Sequence, residues 1–309
     1  MPTLRKLGLR IATEGDQPAQ LAFAMSGRVA TEAWEFSRRR RSRLLVYIWD
    51  LPPEGTGRGR PDPAFWLGGH FLRMPRPWGG YRRLRGHYSR LYYIACRADA
   101  VWVPSASTQA TVAERFGLRA HRIPYCYDSG RFVAVPRADN SGAVSLTLLT
   151  VSRLRPHKNQ AAVLHAAAIL GRGARVRLIG QGPDHQALRR LAEGLHVPCV
   201  IDAATDDEEV ARAYRECSVV VAPSRFEGFG LTPIEGVASG ARVVASDIPP
   251  HREFVGGVAR LAPPDDHGAL ARAALEALEA SPPDPSSVRD LTIAAAAERF
   301  CGALQVLVN

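Results

Sequence analysis

Two carboxylates, Glu227 and Glu235, flank the stretch Gly228-Phe229-Gly230-Leu231-Thr232-Pro233-Ile234. Gly228 and Gly230 let the backbone turn with no Cβ in the way. The N–H groups of Gly230, Leu231 and their neighbours are then free to hold an anion at a helix N-terminus. The helix start is expected from Thr232 as cap, Pro233 at the first helical position and Glu235 three residues after the cap, with Gly240 suited to the stop. Carboxylates accept hydrogen bonds from hydroxyls, so the pair suits a diphosphate that carries a sugar at one end and a ribose at the other. Glu235 alone would do no more than complete a capping box, and Glu227 alone would be a solvated loop charge. A second group of charges, Arg153 and Lys158, lies in Val151-Ser152-Arg153-Leu154-Arg155-Pro156-His157-Lys158. As a fork and a point charge these two can neutralise a diphosphate; as bland strand-exit charges they would do nothing.

These residues need rigid elements behind them, and the second half of the chain supplies a regular pattern. Apolar runs at Leu146–Val151, Val176–Ile179, Val197–Ile201, Val219–Ala222 and Val243–Ala245 alternate with helical stretches at about Asn159–Leu170, Pro183–Ala192, Asp207–Glu216 and Pro233–Ala238. Such alternation predicts a parallel sheet with helices on both faces and ligands outside the carboxyl ends of the strands. Gly180-Gln181-Gly182 follows the second of these strands. By itself it is a weak signal that a tight turn would also give. Asp202-Ala203-Ala204-Thr205 follows the third, with Thr205 placed to cap the next helix. Amphipathic helices are expected over Asp266–Ala280 and, after a Pro-rich break, from Ser286 to about Val306.

The spacing of Glu227 and Glu235, within P-S-R-F-E-G-F-G-L-T-P-I-E-G-V-A-S-G and followed by V-V-A-S-D-I-P, resembles the E-x7-E motif of retaining family-4 glycosyltransferases (glycosyl transferases group 1). The resemblance implies an α/β chain of GT-B fold, two Rossmann-like domains whose parallel sheets face a central cleft. It implies an N-terminal acceptor-side domain over 1–140, short for this architecture, a nucleotide-sugar domain over 141–285, and a C-terminal helix over 286–309 that crosses back to the first domain. Arg153, Lys158 and Glu227 would then be catalytic, the two cations stabilising the leaving diphosphate and Glu227 holding sugar hydroxyls. Glu235 would hold the ribose, and Gly228, Phe229, Gly230, Leu231 and Thr232 would line the donor. Gly180, Gly182 and the backbone of Ala203 would line the nucleotide pocket. The family often ends an early strand in His-Asp next to the reacting sugar. Here Trp49-Asp50 stands at that place, a weaker acceptor-side pair. The family's paired-glycine loop after the first strand has no counterpart, so the first domain is either short or lacks its beginning.

The first half is less regular. A strand is expected at Leu7–Ala12, a helix from Pro18 to about Arg41, a buried strand at Leu44–Asp50, a helix over Tyr81–Arg97, a strand near Ala98–Ser105 and a helix over Ser107–Phe116 stopped by Gly117. Between them, residues 54–80 form a Gly/Pro/Arg-rich loop with Phe65, Trp66, Phe71 and Trp78, suited to an acceptor or to a small local core. His70 and His87, in or near it, read as structural. A polar linker is expected at Val135–Ala143. Arg38 to Arg43 is a solvated helix end that also suits an anionic membrane surface.

The net charge of +10 comes from 40 basic and 30 acidic residues, dispersed and without a nucleic-acid platform. Five scattered cysteines read as reduced thiols, and no signal core or membrane-spanning run is present, which predicts a cytoplasmic protein, at most peripheral at the inner membrane face. No D-x-D, metal-ligand cluster, Walker loop or Gly-x-Ser-x-Gly occurs, so the expectation is transfer without metal or cofactor. The partners would be a nucleotide-sugar donor and a glycan, lipid-linked or small-molecule hydroxyl acceptor. Alternatives are a nucleotide-sugar epimerase on the same plan and a catalytically weak nucleotide-sugar-binding protein.

Overall fold

A computed structural model describes residues 20–24, 30–51, 90–135, 146–171, 173–203 and 206–308. The chain divides into two compact units, residues 1–124 with 296–309, and residues 125–295. The expected strand at Leu7–Ala12, the aromatic loop with His70 and His87, Thr205, and most of the Tyr81–Arg97 helix and of the linker lie outside the described residues.

In the first unit four parallel strands, β1 (Leu21–Ala24), β2 (Arg43–Tyr47), β3 (Ala100–Val103) and β4 (His121–Arg122), pair in the order β1-β2-β3-β4. Helices α1 (Ala30–Arg40) and α2 (Ala106–Phe116) follow β1 and β3. Alternation along β2 splits its side chains between two cores. Leu44 and Val46 pack with Ile94, Val101, Val112 and Phe116. Leu45 and Tyr47 pack with Trp102 and Leu304. Both faces are covered, as an all-parallel sheet requires. Gly117, at φ 65°, closes α2 as expected. The expected continuous helix from Pro18 to Arg41 is not found. Leu21-Ala22-Phe23-Ala24 alternates half-buried and buried positions and pairs with β2, so its short apolar run satisfies a sheet edge, and among the described residues the helix covers Ala30–Arg40.

The second unit carries β5 (Leu146–Val151), β6 (Ala174–Ile179), β7 (Cys199–Asp202), β8 (Val219–Ala222), β9 (Val243–Ser246) and β10 (Arg260–Ala262), all parallel, in the order β10-β9-β8-β5-β6-β7. Helices α3 (Gln160–Leu170), α4 (His185–Gly194), α5 (Asp207–Glu216), α6 (Leu231–Ala238), α7 (Pro249–Val255) and α8 (His267–Glu279) make the crossovers. The direction of winding reverses between β5 and β8. The loops that leave these two strands therefore diverge and open a crevice at their carboxyl ends, the place where such sheets take ligands.

Three features differ from the sequence expectation. Asp206, whose side chain accepts from the Glu209 N–H at 2.7 Å, caps α5 in place of Thr205. Helix α7, for which no expectation was formed, carries the Pro249-Pro250 pair in its first turn, where a missing N–H costs nothing. The long final helix is split: Pro285–Leu291 is 3-10, and α9 (Ile293–Val308) starts after Thr292. The break is held by Tyr127, whose N–H donates to the Leu291 carbonyl at 2.9 Å and whose carbonyl accepts from the Ile293 N–H at 3.2 Å. Residues 125–135, expected at the end of the first domain, thus belong with the second unit.

Candidate active site

The two loops that leave the reversal point are stitched together by backbone and amide hydrogen bonds. After β5, Pro156–Lys158 makes a single 3-10 turn that ends at Asn159 in the left-handed region, φ 55°. The buried Asn159 amide donates to the Pro223 carbonyl at 3.2 Å and the Pro264 carbonyl at 2.7 Å. The Arg225 N–H donates to the His157 carbonyl at 2.8 Å. This stitching brings Lys158 Nζ to 2.5 Å from Glu227 Oε1. Ser224 Oγ donates to the same oxygen at 2.7 Å. Both side chains of the ion pair are only about one-fifth exposed, so their attraction is less screened than that of a surface pair. With both donors on Oε1, the second carboxylate oxygen is the one available to a ligand hydroxyl.

Helix α6 begins where the glycine loop ends. Its cap is Gly230, at φ 94° and ψ 67°, not Thr232. A Cβ at this position would lie 2.8 Å from His251 Cδ2, so both the backbone conformation and the space call for glycine. Thr232 lies inside the first turn and its hydroxyl donates to the Val151 carbonyl at 2.6 Å, anchoring the helix to the end of β5. Glu235 closes no capping box. Its Oε2 accepts from the Tyr214 hydroxyl at 3.0 Å. Burial pushes the Glu235 carboxyl up to about 7, and Asp207 adds to the rise, while the Tyr214 hydrogen bond and Arg131 oppose it. Tyr214 is itself fully buried, and its phenol is held well above the usual range by desolvation and the adjacent carboxylate. Gly240, at φ 68°, stops the helix as expected.

The other expected residues fall as follows. Phe229 is a buried plug against Phe254 and Tyr125, with ring centroids at 4.5 and 6.2 Å, so only its backbone faces outward for a ligand. Arg153 is exposed and makes no ion pair with any described residue. Gly180 and Gly182 have a packing reason for their type: a Cβ on either would fall 1.9 Å from the Ser152 carbonyl oxygen or 2.1 Å from that of Leu154. They nest the loop after β6 against the loop carrying Arg153. Ala203 is exposed just past the end of β7. Trp49 and Asp50 belong to the first unit, Trp49 half-buried against Tyr47 at 5.0 Å and Asp50 exposed. Tyr214, Ser224, Asn159 and His251 escaped the sequence reading. Each sits in a run whose pattern already has a plain explanation, amphipathic helix or strand exit, and only the fold brings its polar atom to the site.

The two parallel sheets with flanking helices are those of the GT-B fold, and the solved structures agree. The chain overlays on HepE from Anabaena in complex with UDP-glucose with TM-score 0.71 and 17% identity, covering 93% of this chain and 79% of that one. It overlays on sucrose-phosphate synthase from Thermosynechococcus elongatus with TM-score 0.66 and 22% identity, covering 94% and 71%. Residues 145–280 match the family described as glycosyl transferases group 1. Phosphatidyl-myo-inositol mannosyltransferase of Mycolicibacterium smegmatis is 32% identical over 173 residues, 54% of this chain and 45% of that protein. The chain thus spans less than half the length of that relative.

Proposed function

We propose that this chain transfers a sugar, with retention of anomeric configuration, from a nucleotide-diphosphate donor to a hydroxyl acceptor, using no metal ion. The observation that carries the reading is the Lys158–Glu227 contact at the reversal point of the second sheet, one loop away from the N-terminus of α6. Lys158, Arg153 and the N–H groups of Gly230 and Leu231 take up the charge that grows on the diphosphate as the glycosidic bond stretches. Such preorganised donors contribute roughly 3 kcal/mol each to similar transition states. Glu227 holds sugar hydroxyls through its free oxygen, and Glu235 holds the ribose. The reaction runs on one face of the sugar, the departing phosphate oxygen taking the acceptor proton. This is consistent with a site whose two carboxylates serve binding. Trp49 and Asp50 serve the acceptor side.

The names of the relatives order the search. Mannose donors with a phosphatidyl-inositol acceptor come first, then UDP-glucose. Melting curves against UDP, GDP, ADP and dTDP sugars identify the donor, since a ligand that binds only the native state raises the melting temperature. Labelled-sugar transfer to glycan, lipid-linked and small acceptors follows. Donor turnover with solvent-hydrogen exchange at the sugar C2 and no acceptor would replace transfer by epimerisation. A protein whose melting temperature no donor raises would end the proposal.

A further inference from the structure

His251 lies in α7, outside the residues that the sequence pointed to, with 1% of its surface exposed. Its Nδ1 is 2.9 Å from the Ser246 carbonyl and 3.2 Å from the Ser246 hydroxyl. That hydroxyl already gives its hydrogen to the Ser224 carbonyl. Both groups can therefore only accept from the ring, which places the ring proton on Nδ1. Nε2 is left as a buried lone pair with no hydrogen-bond partner. Burial lowers the pKa of the imidazole, with nearby Lys158 adding to this and Glu227 and the Ser246 carbonyl opposing it, so the ring is neutral. An orphaned buried polar atom calls for an explanation. Here the Cδ2–Nε2 edge fills the space next to Gly230 that a Cβ would otherwise occupy.

We infer that His251 is a positioning residue for the donor loop, resting on the function proposed above. Its ring edge props Gly230 in the left-handed conformation from which α6 starts, and so aims the Gly230 and Leu231 N–H groups at the diphosphate. Its Nδ1–H fixes the carbonyl of Ser246, whose hydroxyl fixes the carbonyl of Ser224, whose own hydroxyl fixes Glu227. One side chain thus sets both the anion-binding amides and the carboxylate assigned to the sugar. Phenylalanine would fill the same space but has no donor for Ser246. Asparagine keeps a donor near the Nδ1 position but empties the space under Gly230. Glutamine reaches as far as Nε2 and refills it.

The test is calorimetric binding of UDP, GDP, ADP and dTDP, and of the corresponding monophosphates, to wild type, His251→Asn and His251→Gln, with circular dichroism to read the fold. The expected result is a loss of about tenfold or more in diphosphate affinity for His251→Asn, with monophosphate affinity changed by less than about threefold, and recovery of most of the loss in His251→Gln. A purely structural histidine would lower the melting temperature and leave the ratio of diphosphate to monophosphate affinity unchanged, which overturns the inference. A folded glutamine variant that itself loses about tenfold or more in diphosphate affinity against wild type overturns it as well, and this comparison stands should His251→Asn fail to fold. Wild-type protein that binds none of the four diphosphates refutes the proposed function itself, and the inference with it.

Discussion

The raised titration of Glu235 has a consequence for stability that Glu235→Gln isolates. The carboxyl titrates near 7 in the folded chain against an ordinary 4.5, because burial penalises the charged form. Below the lower value both states are protonated and the group costs nothing. As pH rises from 4.5 towards 7 the unfolded chain releases its proton freely and the folded chain does not, so stability falls across this window and levels off above it. The gap of about 2.5 pH units, at about 1.4 kcal/mol per unit, sets the loss at no more than about 3.5 kcal/mol. Between about pH 5 and about pH 8 the expected loss is about 2.5 kcal/mol. Glutamine keeps the shape and an acceptor for the Tyr214 hydroxyl but carries no charge. The buried His251, lowered by desolvation, pulls the other way below its ordinary value, so the difference between variant and wild type is the informative quantity. Urea unfolding followed by circular dichroism at a series of pH values should show Glu235→Gln gaining on wild type by about 2.5 kcal/mol from about pH 5 to about pH 8. A constant difference across that range would refute the claim that Glu235 is held protonated by burial. The same variant should lose affinity for ribonucleotides while binding 2′,3′-dideoxyribonucleotides as wild type does, since only the ribose hydroxyls address the carboxylate.

Other expectations are as direct. Glu227→Gln should weaken binding of the nucleotide sugar by about tenfold or more and leave the free nucleoside diphosphate nearly unaffected, as calorimetry with both ligands would show. Tyr214→Phe removes a hydrogen bond that opposes the rise in Glu235. NMR titration of the labelled carboxyl should move further up, and unfolding should show a cost of about 1 kcal/mol. Gly180→Ala puts a Cβ on the Ser152 carbonyl, and a loss of at least about 2 kcal/mol is expected in the same unfolding assay.

Much of the second unit was legible because its strands are short valine- and leucine-rich runs separated by helices of ordinary length, a pattern with few competing folds. β10 and α7 were not, because Arg260-Leu261-Ala262 is too short to stand out and α7 is a seven-residue helix that opens on two prolines. The helix over residues 18–41 failed for a related reason. Leu21 and Met25 fit a helical face, and nothing local says that Leu21–Ala24 gains more by pairing with β2. At the site, the residue types at Lys158, Glu227, Gly230 and Glu235 raised the expectation of an anion and hydroxyls as ligands. Their local bonding did not follow from spacing. Thr232 and Glu235 satisfy the capping pattern in sequence, yet the hydroxyl turns to the Val151 carbonyl and the carboxylate to Tyr214, partners 81 and 21 residues away. Contacts of that range depend on the order of the strands, which the sequence pattern constrains only through the full sheet.

The central claim is that Lys158, with the α6 N-terminus, holds the diphosphate of a sugar donor without a divalent ion. Calorimetry of the best donor's nucleoside diphosphate, with wild type and Lys158→Ala in excess EDTA, tests it most directly. The expected result is full binding by wild type in the chelator and a loss of at least about tenfold in the variant. Wild-type binding that needs added magnesium or manganese, or a variant that binds as tightly as wild type, would contradict it.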